Sequence, residues 1–305
     1  MKKVLLFTFI IIIIPIILVK NKDLKKSKYN YGIYSNKTIS VQNTKTGEIK
    51  KVLLEEYVKG VVAGEMPASF HIEALKAQAV ASRTYALKKA QDSKLDFDVT
   101  NDTNYQVYLS SEEIKEKFGD NYNEYIKKIN EAVNTTKGEV ILYNNNLIDA
   151  MFFSTSNGYT ENSEDVFSSN LPYLSSVESK WDKEESPVFS SVNEFSKAEF
   201  LMNLGLNTTE NIDVGNIERT KTGRVKNITI NNKKYKSSDI RSIFNLRSTS
   251  FEIKVNNNTV VFEVKGFGHG VGLSQYGANG MAKNGYDYEK ILTYYYQDCE
   301  IKKIN

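Results

Sequence analysis

Apolar and polar positions along this chain fall into one solid block followed by two alternating periods. Val4 to Val19 is an uninterrupted apolar run behind Lys2 and Lys3, softened only by Thr8 and Pro15. At a helical rise it spans roughly 24 Å, a little short of a bilayer core of about 30 Å. Lys20, Asn21, Lys22 and Asp23 follow, with no small-x-small cleavage site, so residues 1–20 read as an uncleaved single-pass membrane anchor. A three-residue N-terminus offers little to translocate in place of a folded body. The body is therefore expected on the extracytoplasmic side of the cell membrane, although Lys20, Lys22, Lys25, Lys26 and Lys28 oppose that orientation. The polar, lysine-rich residues 21–36 read as a tether, and residues 37–305 as the working body.

Within the body, period 2 marks hairpins and period 3.6 marks helices. Lys37–Gln42 and Ile49–Leu53 alternate around Thr44–Gly47. Glu139–Tyr143 and Leu147–Ser154 flank an Asn-Asn-Asn turn, and Phe251–Val255 and Val260–Val264 flank Asn256–Thr259. Helices are predicted up to Glu65, over His71–Ala90 and near Glu112–Val133. Residues 183–248 hold a shorter, more polar mixture that reads as a smaller inserted subdomain. The expectation is an α+β fold of antiparallel hairpins and helices around one main core. No repeat of fixed period is present.

Composition narrows the classes. The chain has 305 residues, 40% of them hydrophobic and 25% charged, which suits a globular body with ample core. The net charge is +3, and no helix carries a dense Lys/Arg stripe, which argues against a nucleic-acid partner. Cys299 is the single cysteine, so no intrachain disulfide can form. With His71 and His269 as the two histidines, the usual Cys/His metal frameworks are absent. Neither a metal nor another cofactor is expected.

Two helices and one loop carry the candidate chemistry. Leu54, Tyr57, Val58 and Val61 form an apolar stripe, and Glu65 falls on it eleven residues after Leu54. Pro67 ends the helix at about Glu65. Burial and the negative end of the helix dipole both disfavour a carboxylate there, which raises its pKa towards that of a general acid. On the next helix Arg83 sits amid Ile72, Leu75, Ala79, Ala86 and Ala90. It needs a partner, either Glu65 in a purely structural ion pair or a substrate. Near the end, Gly266–Gly277 packs five glycines around His269, Ser274, Gln275 and Tyr276. Its spacing matches neither the dinucleotide nor the phosphate-loop pattern. A tight structural turn with His269 satisfied internally competes there with use as a binding groove, since the loop leads into the aromatic Tyr294–Tyr296.

These segments resemble the stage II sporulation protein D family. The residues that carry the likeness are Leu54–Ala68, with its Glu-Met-Pro, Glu73–Ala86, Phe153–Glu161, Pro172-Tyr-Leu, Leu246–Thr249 and Gly268–Ala278. They occur in family order over about residues 50–300. The resemblance implies a lytic transglycosylase that cuts peptidoglycan strands, stripped of stem peptides, during engulfment in endospore formation. It implies partnership with the amidase stage II sporulation protein P and with stage II sporulation protein M. Related amidase-enhancer proteins share the domain. Carried over residue by residue, Glu65 takes the catalytic position, and Arg83, Tyr173 and Asp182 are expected to line the site with His269, Gln275 and Tyr276. Two departures stand out. The Asp98–Tyr108 stretch lacks the His/Cys cluster of some members, which implies no zinc, and Ser175 stands where a lysine is expected. Outside that reading stand three others: a non-enzymatic glycan-binding activator of an amidase, a conventional glycosidase with Asp182 as second carboxylate, and a purely structural wall-binding module.

Overall fold

The computed structural model describes residues 37–304 apart from 168 and 210, so the apolar run Val4–Val19 and the tether lie outside the described residues. No helix among the described residues is long and apolar enough to cross a membrane. In chain order the first elements are β1 (Thr38–Gln42), β2 (Ile49–Leu53), α1 (Leu54–Glu65), α2 (Ile72–Asp92) and β3 (Val99–Thr100). They are followed by α3 (Ser111–Phe118), α4 (Tyr122–Thr135), β4 (Glu139–Tyr143), β5 (Asn146–Leu147), β6 (Phe152–Phe153), α5 (Ser163–Phe167) and α6 (Asp182–Glu185). A smaller unit contributes β7 (Ser190–Ser196), α7 (Lys197–Asn203), β8 (Val214–Arg219), β9 (Val225–Ile230), β10 (Lys233–Lys236), α8 (Ser237–Ile243), β11 (Phe251–Val255) and β12 (Thr259–Lys265). The chain closes with β13 (Leu273–Ser274), α9 (Gln275–Lys283), α10 (Tyr288–Tyr295) and β14 (Glu300–Lys303). The fold is mixed α+β.

Helix α2 is the axis of the main core. It packs against α1, α4, α9, α10 and β4, and residues 77–87 are buried on every side. Its alanines at 74, 77, 79, 81 and 86 let those neighbours approach closely, so a helix expected to be amphipathic is enclosed instead. The polar residues on it are satisfied locally: Gln78 donates to Ser82 at 2.9 Å, and Thr84 donates to the Val80 carbonyl at 2.7 Å while accepting the Ile141 N–H at 2.9 Å. Two three-stranded sheets flank the helices, one ordered β2-β1-β3 and the other β14-β4-β5.

Two predicted elements break where the backbone demands it. The helix expected near Glu112–Val133 splits into α3 and α4 at Gly119, which adopts a φ of 50°. Ser110 closes a full capping box with Glu113 at the start of α3. The strand expected over Leu147–Ser154 stops after Leu147. Asn144 and Asn145, with φ of 50° and 59°, make the tight turn, but the chain then bends at Asp149–Met151. Phe152–Phe153 pairs instead, in parallel, with Leu273–Ser274.

A second apolar core is built by the smaller unit, from Phe200 to Val264. Phe200 stacks on Phe244 at 4.9 Å, and Phe244 meets Phe262 at 5.1 Å. The unit extends past the 183–248 stretch to take in the Phe251–Lys265 hairpin, because β12 pairs with both β11 and β7. The glycine-rich segment joins the two cores. The Gly266 N–H donates to the Phe189 carbonyl at 2.8 Å, Phe267 bridges to Thr155, and the Gly268 N–H reaches the Arg247 carbonyl at 3.0 Å.

Candidate active site

Helix α1 ends at Glu65 because Met66 turns extended ahead of Pro67. Glu65 is half-buried there, at the wall of a cleft of about 640 Å³. Its Oε1 accepts the backbone N–H of Val107 at 2.6 Å. Gly64 makes that contact feasible: a side chain there would overlap the Val107 carbonyl. Burial raises the Glu65 pKa, while the Val107 N–H, the nearby Lys117 and a hydrogen bond from Gln275 pull the other way. Lys117 donates to the Ala63 and Gly64 carbonyls at 2.8 and 3.0 Å, so it also caps the negative end of α1. The result is a carboxyl held above its ordinary range by desolvation yet provided with donors for its ionised form.

Much of the remaining lining comes from the glycine-rich loop and its partner strand. Phe152, Phe153, Ser154, Phe267, Gly268, His269, Gln275 and Tyr276 form it, with Pro67, Thr103, Tyr105, Val188 and Arg241 completing the rim. Among these described lining residues Glu65 is the single carboxylate. Gln275 and Tyr276 are in the cleft as expected. Gln275 bridges Gln78 at 3.3 Å, and the Tyr276 ring meets Phe70 edge-on at 4.9 Å. His269 also lines the cleft, and its Nδ1 accepts the Val271 N–H at 3.0 Å. Its ring lies between Phe153 and Phe167.

Desolvation, with Arg224 and Arg241 nearby, pushes the His269 pKa down to about 4. Below the ordinary histidine value of about 6.5 the unfolded chain then binds a proton that the folded one refuses. The stability due to this group is complete above pH 6.5 and is lost as pH falls towards 4. An NMR titration of the imidazole should show the neutral ring down to about pH 4; a midpoint near 6.5 would contradict the geometry.

The remaining expected residues stand outside the cleft. Arg83 is fully buried and forks onto Glu55 rather than Glu65, with Nε–Oε1 at 2.9 Å and Nη2–Oε2 at 2.7 Å. Its Nη1 also donates to the Glu139 carbonyl at 3.1 Å. Glu55 is off the apolar stripe of α1, but α2 and β4 close over its first turn and bring the guanidinium to it. Asp182 is fully buried and saturated: it accepts the Ser156 N–H at 2.8 Å and the hydroxyls of Ser179 and Ser274 at 2.6 and 2.5 Å. It pins the Ser154–Gly158 turn to the start of α9 and does not line the cleft. The Tyr173 hydroxyl accepts the Asp149 N–H at 3.2 Å, and its ring packs on Tyr143. Ser175 donates to the Pro172 carbonyl at 2.7 Å and does not line the cleft.

A buried pair with no local signature in the chain holds the loop from behind. Arg224 lies against Gly270, where any side chain would strike the guanidinium, and donates to the Gly268 carbonyl at 3.2 Å. Its Nε is 3.9 Å from Glu161, whose Oε2 accepts from Thr220 and Thr222.

The helix-borne acid, the loop of glycines and the aromatic wall make an acid-bearing cleft in a mixed α+β fold, and comparison with known proteins gives the family. The stage II sporulation protein family model matches residues 42–143, and a model described as a domain of unknown function matches residues 112–272. Stage II sporulation protein D of Bacillus subtilis (strain 168) is 45% identical over 272 residues, 87% of this chain and 79% of that protein. Its counterpart in Bacillus amyloliquefaciens is 43% identical over 92% of this chain and 80% of that protein. The amidase enhancer of Bacillus subtilis (strain 168) is 30% identical over 78% of this chain and 39% of its own length. The chain belongs to the stage II sporulation protein D family.

Proposed function

We propose that this protein is a peptidoglycan lytic transglycosylase that uses Glu65 as its one acid and base during engulfment in endospore formation. The observation that supports this most is a half-buried glutamate with a raised pKa standing as the single carboxylate of its cleft. Ordinary glycosidases place two carboxyl groups about 5–10 Å apart across the scissile bond. Asp182, the residue that would supply the second, is sealed behind three serines. One carboxyl suffices if the nucleophile belongs to the sugar. Protonated Glu65 gives its proton to the glycosidic oxygen between N-acetylmuramic acid and N-acetylglucosamine, and the C1–O bond breaks. The carboxylate, now stabilised by the Val107 N–H, accepts the proton of the muramic C6 hydroxyl as that oxygen bonds to C1. The product ends in a 1,6-anhydro ring, no water is consumed, and Glu65 is protonated again. Gln275 and Tyr276 hold glycan against the aromatic wall.

In the same reading the body works outside the membrane on strands stripped of stem peptides, with stage II sporulation proteins P and M as partners. The amidase-enhancer likeness favours one alternative, a non-enzymatic activator that binds glycan and speeds an amidase. Incubating the full-length protein, without partners, with stripped glycan strands separates the two. New strand ends are expected; intact strands, from protein shown to be folded, would shift the assignment to the activator.

A further inference from the structure

The cleft does not stop at His269. A second cavity of about 840 Å³ shares Arg241, Phe267 and His269 with it, so the two form one groove that runs from Glu65 onto the smaller unit. The far half is lined by Ser191, Asn193, Ser238, Asn245 and Thr249 among others, and by no acidic residue. Two guanidiniums face this stretch. The chain has five arginines. Arg83, Arg219 and Arg224 each stand by a carboxylate, Glu55, Glu252 and Glu161 respectively. Arg241 and Arg247 have none among the described residues.

Arg241 is half-buried, and its Nε donates only to the Leu246 carbonyl at 3.2 Å. Burial lowers its pKa with no countercharge to offset the cost. The Arg247 guanidinium lies 5.8 Å from the centre of the Phe267 ring, and its carbonyl is tied to Gly268 of the catalytic wall. The Ser191 hydroxyl on the same wall is buried without a partner. A desolvated, unanswered guanidinium beside an unused donor is a fork suited to a planar anion.

We propose that Arg241 and Arg247 form an anion subsite of the groove that takes the free carboxylate of a muramic lactyl group on the strand being cut. The inference rests on the glycan-cutting reading above. On a stripped strand every muramic acid carries this carboxylate, whereas an attached stem peptide converts it to a neutral amide. The subsite therefore distinguishes stripped from peptide-bearing strands by charge. Carboxylates on the stem peptides themselves are the other source of the same chemistry.

The test is calorimetric binding to the full-length Glu65→Gln protein, with and without Arg247→Gln or Arg241→Gln. The probes are stripped strands, the same strands with lactyl carboxylates converted to methylamides, peptide-bearing strands, and hexa-N-acetylchitohexaose, which has no carboxylate. Stripped strands are expected to bind about tenfold more weakly to the Arg247→Gln protein. Methylamidated strands and the chito-oligosaccharide should bind both proteins alike. Equal binding of stripped strands to parent and variants, or undiminished binding of methylamidated strands to the parent, would overturn the subsite. Tighter binding of peptide-bearing strands that Arg247→Gln abolishes would move the carboxylate to the stem peptide and overturn the lactyl assignment. Failure of the parent to bind any strand would instead remove the glycan reading and the subsite with it. Arg247, which makes only a ring contact through its side chain, keeps the test decisive should Arg241→Gln fail to fold.

Discussion

Replacing Glu65 with glutamine is expected to reduce strand cutting by at least about 10²–10⁴-fold, the usual worth of positioned acid–base catalysis. Glutamine keeps the shape of the side chain and a carbonyl oxygen to accept the Val107 N–H at 2.6 Å, so the helix end should persist. What disappears is the proton. The effect on stability has the opposite sign. The folded-state pKa of Glu65 lies above its ordinary value, so the folded protein keeps a proton that the unfolded chain has already released. Stability from this group falls as pH rises through that window, and the cost of the ionised carboxylate is fully present above it. A neutral glutamine avoids that cost, and thermal unfolding at pH 7 should show a midpoint no lower than that of the parent. A variant that loses activity because its midpoint has collapsed would mean that Glu65 is structural. A variant that cuts normally would remove it from the chemistry.

The second large effect concerns the fully buried arginine of α2. Glu55→Ala leaves the fully buried Arg83 guanidinium without its fork partner, and this should destabilise the fold by about 3–5 kcal/mol. Removing both charges together, Glu55→Leu with Arg83→Met, should recover most of that loss, because the desolvation cost leaves with the pair. Chemical denaturation of the two variants measures the difference. If Arg83 instead met substrate, Glu55→Ala would leave stability nearly unchanged, and Arg83→Met would weaken strand binding while the protein stayed stable.

The contrast between Glu65 and Arg83 shows how far the sequence could be read. Glu65 was legible because helical period and Pro67 are both local: together they place a carboxyl at the end of an apolar stripe. The hairpin turn at Asn144–Asn145 was legible for the same reason, since asparagine accepts positive φ. Partner choice was not legible. Periodicity puts Arg83 on the enclosed face of its helix, but whether Glu55 or Glu65 answers it depends on how α1, α2 and β4 close together. The donor to Glu65 is a backbone N–H, and Val107 carries no chemical mark of that role. The one hint was Gly64, a helix position where only glycine leaves room for another segment. Asp182 is expected at the site because it matches a family position, but no local signal says what surrounds it. Its partners Ser156, Ser179 and Ser274 converge on it only in three dimensions. Arg241 reaches the cleft from the stretch that its polar mixture marked only as a smaller inserted subdomain.

The central claim is that a single carboxyl transfers the proton both ways while the sugar's own C6 hydroxyl closes on C1. Cutting stripped strands in oxygen-18 water, with mass spectrometry of the released ends, tests it most directly. The account predicts 1,6-anhydro-muramic ends, no oxygen-18 in them, and no such ends from the Glu65→Gln protein. Reducing ends that carry oxygen-18 would show that water is the nucleophile and would contradict the single-carboxyl mechanism.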